Sequence, residues 1–343
     1  MHTLMIDDQE KLYMAADILR AGGLVAVPTE TVYGLCANAL DEHAVSNIYK
    51  AKGRPSDNPL IIHIADLEML QPLVAHIPDS ASLLMEHFWP GPLTLIFEST
   101  SLVPLSVRGG LSTVAIRFPS HPTMQDLIRM TGLPLAAPSA NTSGKPSPTN
   151  AKRVFEDLNG KIDAIVDGGL STVGVESTIV DLTSGTPTIL RPGGITQDML
   201  LEVLDTIIMD PALLSVDATT KPKAPGMKYT HYAPNAEVMI YKGDDEKVVE
   251  AINAALLQDK AHNIYSGVLC DDETKSLFHS DFIISLGSRH TPCEIAMHLF
   301  EALRTFDDLK VQKVYALSFS TEGVGSAIMN RLEKSAGHHI IYV

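Results

Sequence analysis

LVAVPTETVYGL, residues 24–35, decides the fold. Leu24–Val27 is an uninterrupted apolar run of the length a short buried strand needs. Pro28 ends it, and Thr29, Glu30, Thr31 and Tyr33 then crowd three hydroxyls and a carboxylate against Gly34. In α/β proteins ligands bind at the carboxyl ends of strands, so a polar cluster in this position is a candidate site. A capped turn around one buried tyrosine has the same composition.

Outward from this stretch, residues 24–199 alternate strand and helix patterns. Further apolar strands are expected at Leu60–Ile64, Leu93–Phe97, Val114–Phe118, Ala164–Val166, Thr178–Leu182 and Thr188–Leu190. Helices are expected at Glu42–Ala51, Asp79–His87, Thr123–Met130 and Asn150–Leu158, with Asp41 and Thr149 as N-caps. Several strands follow one another late in this region, which predicts a twisted mixed sheet with helices rather than a regular doubly wound one.

From about Ala236 the alternation becomes regular. Strands are expected at Glu237–Tyr241, Gly267–Cys270, Phe282–Leu286, Lys313–Leu317 and His339–Val343, and helices at Asp245–Gln258, Asp272–Phe278, Pro292–Phe306 and Gly325–Ser335. That pattern predicts a smaller parallel α/β (Rossmann-like) domain. The domains are therefore set at 1–205 and 236–343, joined by 206–235, a segment containing Pro211, Pro222, Pro225 and Pro234. Connections of this length are linkers or functional lids, and Met227, Lys228, Tyr229, His231 and Tyr232 are too dense a cluster for a passive tether.

Composition narrows the function. The chain carries a net charge of −15, of which residues 1–212 hold −11. An acidic surface is a poor general nucleic-acid binder, because phosphate contacts need a basic face, and little direct nucleic-acid binding is expected. No apolar run approaches a membrane span, and the acidic N-terminal residues Asp7, Asp8 and Glu10 leave no signal-peptide core. Cys36, Cys270 and Cys293 lie far apart and form no CxxC pair, which fits a reducing cytoplasm. There is no GxGxxG, GxxxxGK[ST], GxSxG or HExxH.

Anion-binding chemistry is written in four further places. In Lys52-Gly53-Arg54-Pro55-Ser56-Asp57-Asn58-Pro59, a point charge and a guanidinium fork flank a glycine on a loop stiffened by two prolines, an arrangement suited to phosphate oxygens. His63 follows within the next strand. Arg117 sits inside the apolar strand Val114–Phe118, where burial demands a protein carboxylate or a ligand anion. The hydroxyl-rich loop Pro138–Thr149 runs into a helix N-terminus, and Arg191 ends a strand before Gly193-Gly194. An inventory of Arg, Lys, hydroxyls and amides fits phosphoryl or adenylyl transfer, with any divalent metal arriving alongside ATP.

Taken together, PTETVYGL, KGRPSDNPL with His63, AIRFP, SANTSGKPSPT, ESTIVDL and LRPGG resemble, in this order, the YrdC-like family. APGMKYTHYAP, residues 224–234, resembles the linker of its long, two-domain members, the threonylcarbamoyl-AMP synthases. The resemblance implies a YrdC-like catalytic domain making threonylcarbamoyl-AMP and pyrophosphate from L-threonine, bicarbonate and ATP, with Mg2+ delivered by ATP. A separate transferase machinery then passes the threonylcarbamoyl group to adenosine 37 of tRNA. The implied threonine contacts are Thr31, His63, Arg117, Ala137 and Ser177. The implied ATP contacts are Lys52, Arg54, Asn58, Thr113, Ser139, Asn141, Ser147, Arg191 and Tyr232, with Lys52 and Arg54 acting in catalysis and no metal-ligating residue. Two alternatives share the fold: a carbamoyl-adenylate-forming enzyme, which would carry zinc-finger and acylphosphatase-like segments, and a non-catalytic RNA-binding module, against which the acidic charge weighs.

Overall fold

The computed structural model describes residues 2–213 and 232–343. Contacts divide these into two units: residues 2–143 and 147–213, and residues 232–343 with the short stretch 144–146. Pro222, Pro225, Met227, Lys228, Tyr229 and His231 of the expected linker lie outside the described residues.

Among the described residues the first unit contains β1 (Leu4–Ile6), α1 (Leu12–Arg20), β2 (Val25–Val27), β3 (Gly34–Asn38), α2 (Glu42–Lys52), β4 (Ile61–His63), α3 (Asp79–Phe88), β5 (Leu93–Glu98) and β6 (Thr113–Arg117). The chain continues with α4 (Pro122–Thr131), β7 (Leu135–Ala136), α5 (Ala151–Leu158), β8 (Ala164–Val166), β9 (Thr178–Asp181), β10 (Thr188–Arg191), α6 (Gln197–Leu201) and β11 (Ile208–Met209). The strands form one 11-stranded sheet in the order β1-β8-β2-β3-β7-β4-β6-β5-β9-β10-β11. Pairing is mixed: β4 runs parallel to β6, while β5 runs antiparallel to it. This is the twisted mixed sheet that the late run of consecutive strands implied.

The sheet is covered on both faces, which is why its strands read as apolar runs rather than alternations. Val25 and Val27 point into a core with Cys36, Leu127 and Ile128. Their neighbour Ala26 points to the opposite side, into a core with Leu35, Ile62 and Ile116. Local signals set the helices. Asp41 accepts hydrogen bonds from the amides of His43 and Ala44 at the start of α2, and Gly53 ends that helix in the left-handed region at φ 63°. The N-cap of α5 is Asn150, not Thr149: its side chain accepts from the Arg153 amide and satisfies the first turn one residue later than expected. The strand β3 went unrecognised because Gly34, Ala37 and Asn38 are weak strand formers.

The expected boundary at 205 also moves. Ile208 and Met209 pair in parallel with Thr188 and Ile189, adding an edge strand to the first sheet inside what the sequence marked as linker.

The second unit contains β12 (Glu237–Lys242), α7 (Asp245–Ala261), β13 (Ser266–Cys270), β14 (Ile283–Ser285), α8 (Pro292–Asp308), β15 (Lys313–Leu317), α9 (Gly325–Ser335) and β16 (Ile340–Tyr342). All pairings in its sheet, β14-β13-β15-β12-β16, are parallel. The helix expected at Asp272–Phe278 shrinks to a 3-10 turn at Lys275–Leu277. The Asp271 carboxylate accepts from both the amide and the hydroxyl of Thr274, drawing the chain into a local turn. Cys36 and Cys270 are buried, and Cys293, in the first turn of α8, is exposed. No helix of the described residues is long and apolar enough to cross a membrane.

One backbone approach in the first unit is tight enough to test. A Cβ on Gly193 would stand 2.3 Å from the Thr178 amide nitrogen and 2.6 Å from the Glu176 carbonyl oxygen, both rigid backbone. Gly185, by contrast, has φ +83° but open space around it. Gly193→Ala is expected to destabilise the chain by ~3 kcal/mol and Gly185→Ala by ~1 kcal/mol, read from denaturant midpoints. Equal losses would show that crowding at Gly193 is not what matters.

Candidate active site

Arg117 ends β6 and is 4% exposed. Register places His63 of β4 on one side of it and Thr94 of β5 on the other. The guanidinium meets Glu30 Oε1 at 2.7 Å, and its Nη1 donates to Thr31 Oγ1 at 2.8 Å and its Nε to the Gly91 carbonyl at 3.3 Å. The strand position that demanded an anion is thus served by a protein carboxylate, from the PTET segment. Glu30 Oε1 also accepts the Ser120 amide at 3.1 Å. Thr29 builds the loop beneath: its Oγ1 accepts the amides of Thr31 and Val32 and donates to the Val32 carbonyl.

The turn around Tyr33 answers the simpler alternative directly. Tyr33 is fully buried and its hydroxyl donates to the Gly169 carbonyl at 2.7 Å. It is a structural residue, while Thr31 and Glu30 of the same segment reach Arg117.

Next to Arg117, Ser177 joins the cluster through Thr94. The two hydroxyls are 2.7 Å apart, and Arg191 donates from Nε to the Ser177 carbonyl at 3.0 Å and from Nη2 to its hydroxyl at 3.1 Å. Ser147 donates to Glu176 Oε1 at 2.5 Å. Ala137 lies beside β4, its amide donating to the Ile61 carbonyl at 3.0 Å. The threonine-assigned residues Thr31, His63, Arg117, Ala137 and Ser177 therefore sit around adjoining strand ends.

The second expected group gathers where α2 ends. Lys52 is buried, and its Nζ donates to the carbonyl of Asn141 at 2.6 Å and to that of Ser139. The Ser143 amide returns a bond to the Lys52 carbonyl at 2.8 Å. The KGR turn and the 139–143 loop are thereby one assembly. Arg54 donates from Nε to the Asn58 carbonyl at 3.4 Å and from Nη2 to the Pro59 carbonyl at 3.1 Å, curling its own loop. The Asn58 side chain is buried and its Oδ1 lacks a hydrogen-bond partner. Thr113 opens β6, four residues and roughly 13 Å of strand from Arg117, so it stands apart from the arginine cluster. Tyr232 is packed within the second unit, its ring 5.1 Å from that of Phe300 and beneath the Arg331 guanidinium.

Sequence reasoning did not assign Thr94, Glu176 or the pairing role of Glu30. Thr94 carried a signal, a lone hydroxyl in the apolar run Leu93–Phe97. The Ser147–Glu176 pairing, 29 residues apart, carried none.

Electrostatics follow from burial. Desolvation lifts the Glu30 carboxyl, but the adjacent Arg117 charge and the Ser120 amide outweigh it and hold its pKa below the ordinary value. Burial, reinforced by the Arg117 charge, lowers the His63 pKa to about 3. His63 is thus neutral near pH 7, with Nδ1 buried and lacking a hydrogen-bond partner. Such a weak base positions a ligand through hydrogen bonds rather than removing protons. Among the described residues no group of three His, Cys, Asp or Glu side chains could hold a metal ion.

With this geometry in place, similarity to known proteins becomes specific. The sequence pattern of the Sua5/YciO/YrdC family, described as telomere recombination, matches residues 17–193. A second pattern, described as the threonylcarbamoyl-AMP synthase C-terminal domain, matches 195–337. A Pyrococcus abyssi threonylcarbamoyl-AMP synthase is 47% identical across 98% of this chain and 97% of its own length. A Bacillus subtilis threonylcarbamoyl-AMP synthase is 49% identical across 96% of this chain and 94% of its own. The crystal structure of P. abyssi Sua5 complexed with L-threonine superposes with a TM-score of 0.95, at 46% identity, covering 99% of this chain and 100% of that one.

The His63 environment has a thermodynamic signature. Its pKa is about 3 in the folded chain and about 6.5 when unfolded, so between those values only the unfolded chain takes the proton. Its contribution to stability is complete above pH 6.5 and lost at ~1.4 kcal/mol per pH unit below it. Glu30 acts in the same direction, with its contribution present above its unfolded value of 4.5 and lost as pH falls through its lower folded pKa. Urea unfolding at pH 6.5 and 5 isolates the histidine: His63→Gln is expected to remove ~2 kcal/mol of the wild-type difference. An unchanged difference would refute a buried neutral imidazole.

Proposed function

The chain belongs to the Sua5/YciO/YrdC family and carries the C-terminal domain of threonylcarbamoyl-AMP synthases, and from that membership we propose the enzyme activity and the roles of its residues. The protein is a threonylcarbamoyl-AMP synthase that uses ATP, L-threonine and bicarbonate and releases pyrophosphate. The observation that carries this is the match, over nearly the whole chain, to the threonine-bound P. abyssi structure, with an arginine cluster of suitable chemistry at the strand ends.

Arg117, braced by Glu30 and Thr31, receives the threonine carboxylate. Ser177, His63 and the backbone at Ala137 shape the rest of the amino-acid pocket. The amine must be neutral to capture CO2 from bicarbonate, giving a carbamate and water. A carbamate oxygen attacks the α-phosphorus of ATP, the bond to the β-phosphate oxygen breaks, and pyrophosphate leaves. Carbamates decompose in water, so a site closed to solvent preserves the intermediate. Lys52 and Arg54 draw the phosphates, and Asn58, Thr113, Ser139, Asn141, Ser147 and Arg191 position the nucleotide. Positioning and charge neutralisation supply most of the acceleration in such transfers. A divalent cation such as Mg2+ would arrive with ATP and be held mainly by its phosphates.

The product is a mixed anhydride, so a transferase must consume it; tRNA adenosine 37 is the acceptor in this proposal. A cytoplasmic location fits the three free cysteines. The acidic net charge of −15 favours transfer by a separate machinery over direct tRNA binding.

Pyrophosphate release is expected when ATP, threonine and bicarbonate are all present, and omission of any one should abolish it; release without threonine would sink the assignment. Arg117→Ala is expected to lower kcat/KM for threonine roughly a hundredfold, the equivalent of a charge-assisted contact. ATP affinity by calorimetry should hold. Lys52→Ala and Arg54→Lys should show the reverse pattern, weakened ATP binding with threonine binding kept, because a fork and a point charge are not interchangeable.

A further inference from the structure

The second unit has a built crevice of its own. The adjacent strands β12 and β15 send their helices to opposite faces of the sheet. α7, after β12, packs through Val248, Ile252 and Leu256 on the face of Met239, Tyr241 and Tyr315. α8 covers the other face, where a Cβ on Gly267 would stand 2.6 Å from Phe306, and α9 packs with α8. Strand ends with helices diverging in this way leave a ligand crevice at the carboxyl edge of a parallel sheet. Here that edge opens onto a cleft of about 280 Å3, close to the lower end of small-molecule sites.

The lining selects a chemistry. The floor is apolar, made by Val248, Ile295, Leu317 and Ile328 from four different elements. Its polar wall holds Asp245, Asp271 and Arg289. Arg289 meets Asp245 at 2.6 Å and Asp271 at 2.7 Å, with Glu273 at 3.9 Å. Three carboxylates around one guanidinium leave this wall net negative. The helix starts are no more welcoming to an anion. The first turn of α7 carries Asp245 and Glu246, α8 begins with Pro292, and the Gly325 and Ala327 amides of α9 are already bonded to the Glu322 and Val324 carbonyls.

We propose that this crevice binds a nucleoside, its planar base against the apolar floor and its ribose hydroxyls donating to Asp245, and that it rejects nucleoside phosphates. Thr274 and Arg289 fill both oxygens of Asp271, whereas Asp245 meets Arg289 through Oδ2, so a vicinal diol can offer its two donors to Asp245 and brings no charge into an acidic wall. This site is separate from the ATP-binding residues of the first unit and does not depend on their assignment.

The test uses the full-length protein with threonine and a non-hydrolysable ATP analogue saturating the first unit, and adenosine as the probe. Equilibrium dialysis is expected to find one equivalent of adenosine, and hydrogen exchange to slow at residues 243–248 and 318–328. AMP is expected to bind there about tenfold or more weakly, from like-charge repulsion. Asp245→Asn is expected to weaken adenosine about tenfold, the loss of a charged acceptor. Protection confined to the first unit, AMP protecting these segments as well as adenosine, or a folded Asp245→Asn protein of unchanged affinity would each overturn the proposal. The wild-type exchange pattern decides alone if that variant does not fold.

Discussion

The ion pair between Arg117 and Glu30 is the constraint around which the first unit is arranged. A guanidinium inside a covered sheet is costly unless an anion meets it in good geometry, and breaking such a pair leaves an uncompensated buried charge, a loss of about 3–5 kcal/mol. The partner cannot come from the neighbouring strands, whose facing residues are His63 and Thr94. It comes from the loop between β2 and β3, and that loop must therefore be held rigid. Thr29 does this from inside, and the Val173 amide, donating to the Glu30 carbonyl, does it from outside. The buried charge at that strand end is what forces the chain to build a wall there.

A second consequence concerns sign. The chain is strongly acidic, yet Lys52, Arg54, Arg117 and Arg191 all belong to one sheet system in the first unit. A net acidic charge disfavours polyanions at long range, while cations held within the unit act only at short range.

Much of this was legible in the sequence because it is local. Strand positions such as Ala164–Val166 and Lys313–Leu317 follow from short apolar runs between turn residues, and Asp41 and Gly53 bracket α2 by ordinary capping chemistry. The five site segments stood out because charged and hydroxyl residues interrupt apolar strands. What was not legible is pairing across the chain. Lys52 finds carbonyls 87 and 89 residues away, and Thr94 finds Ser177 at a separation of 83. Nothing in either segment specifies the other; the strand order does, setting β5 directly against β9 and β3 against β7, the latter two poor in strand-forming residues. The N-cap of α5 was displaced by one residue for a similar reason: Thr149 and Asn150 are both competent, and packing chose between them.

The burial of the cysteines has a practical consequence. Cys36 is sealed in the core and its thiol is pushed far above the usual range, while burial raises that of Cys270 to about 12. Neither supplies a thiolate to a reagent at neutral pH. Cys293 alone is exposed, next to Pro292 in the wall of the second unit's crevice. The natural chain is therefore already a single-site conjugation scaffold. A maleimide dye or spin label attached without mutagenesis would sit beside that crevice and far in sequence from every residue assigned to catalysis.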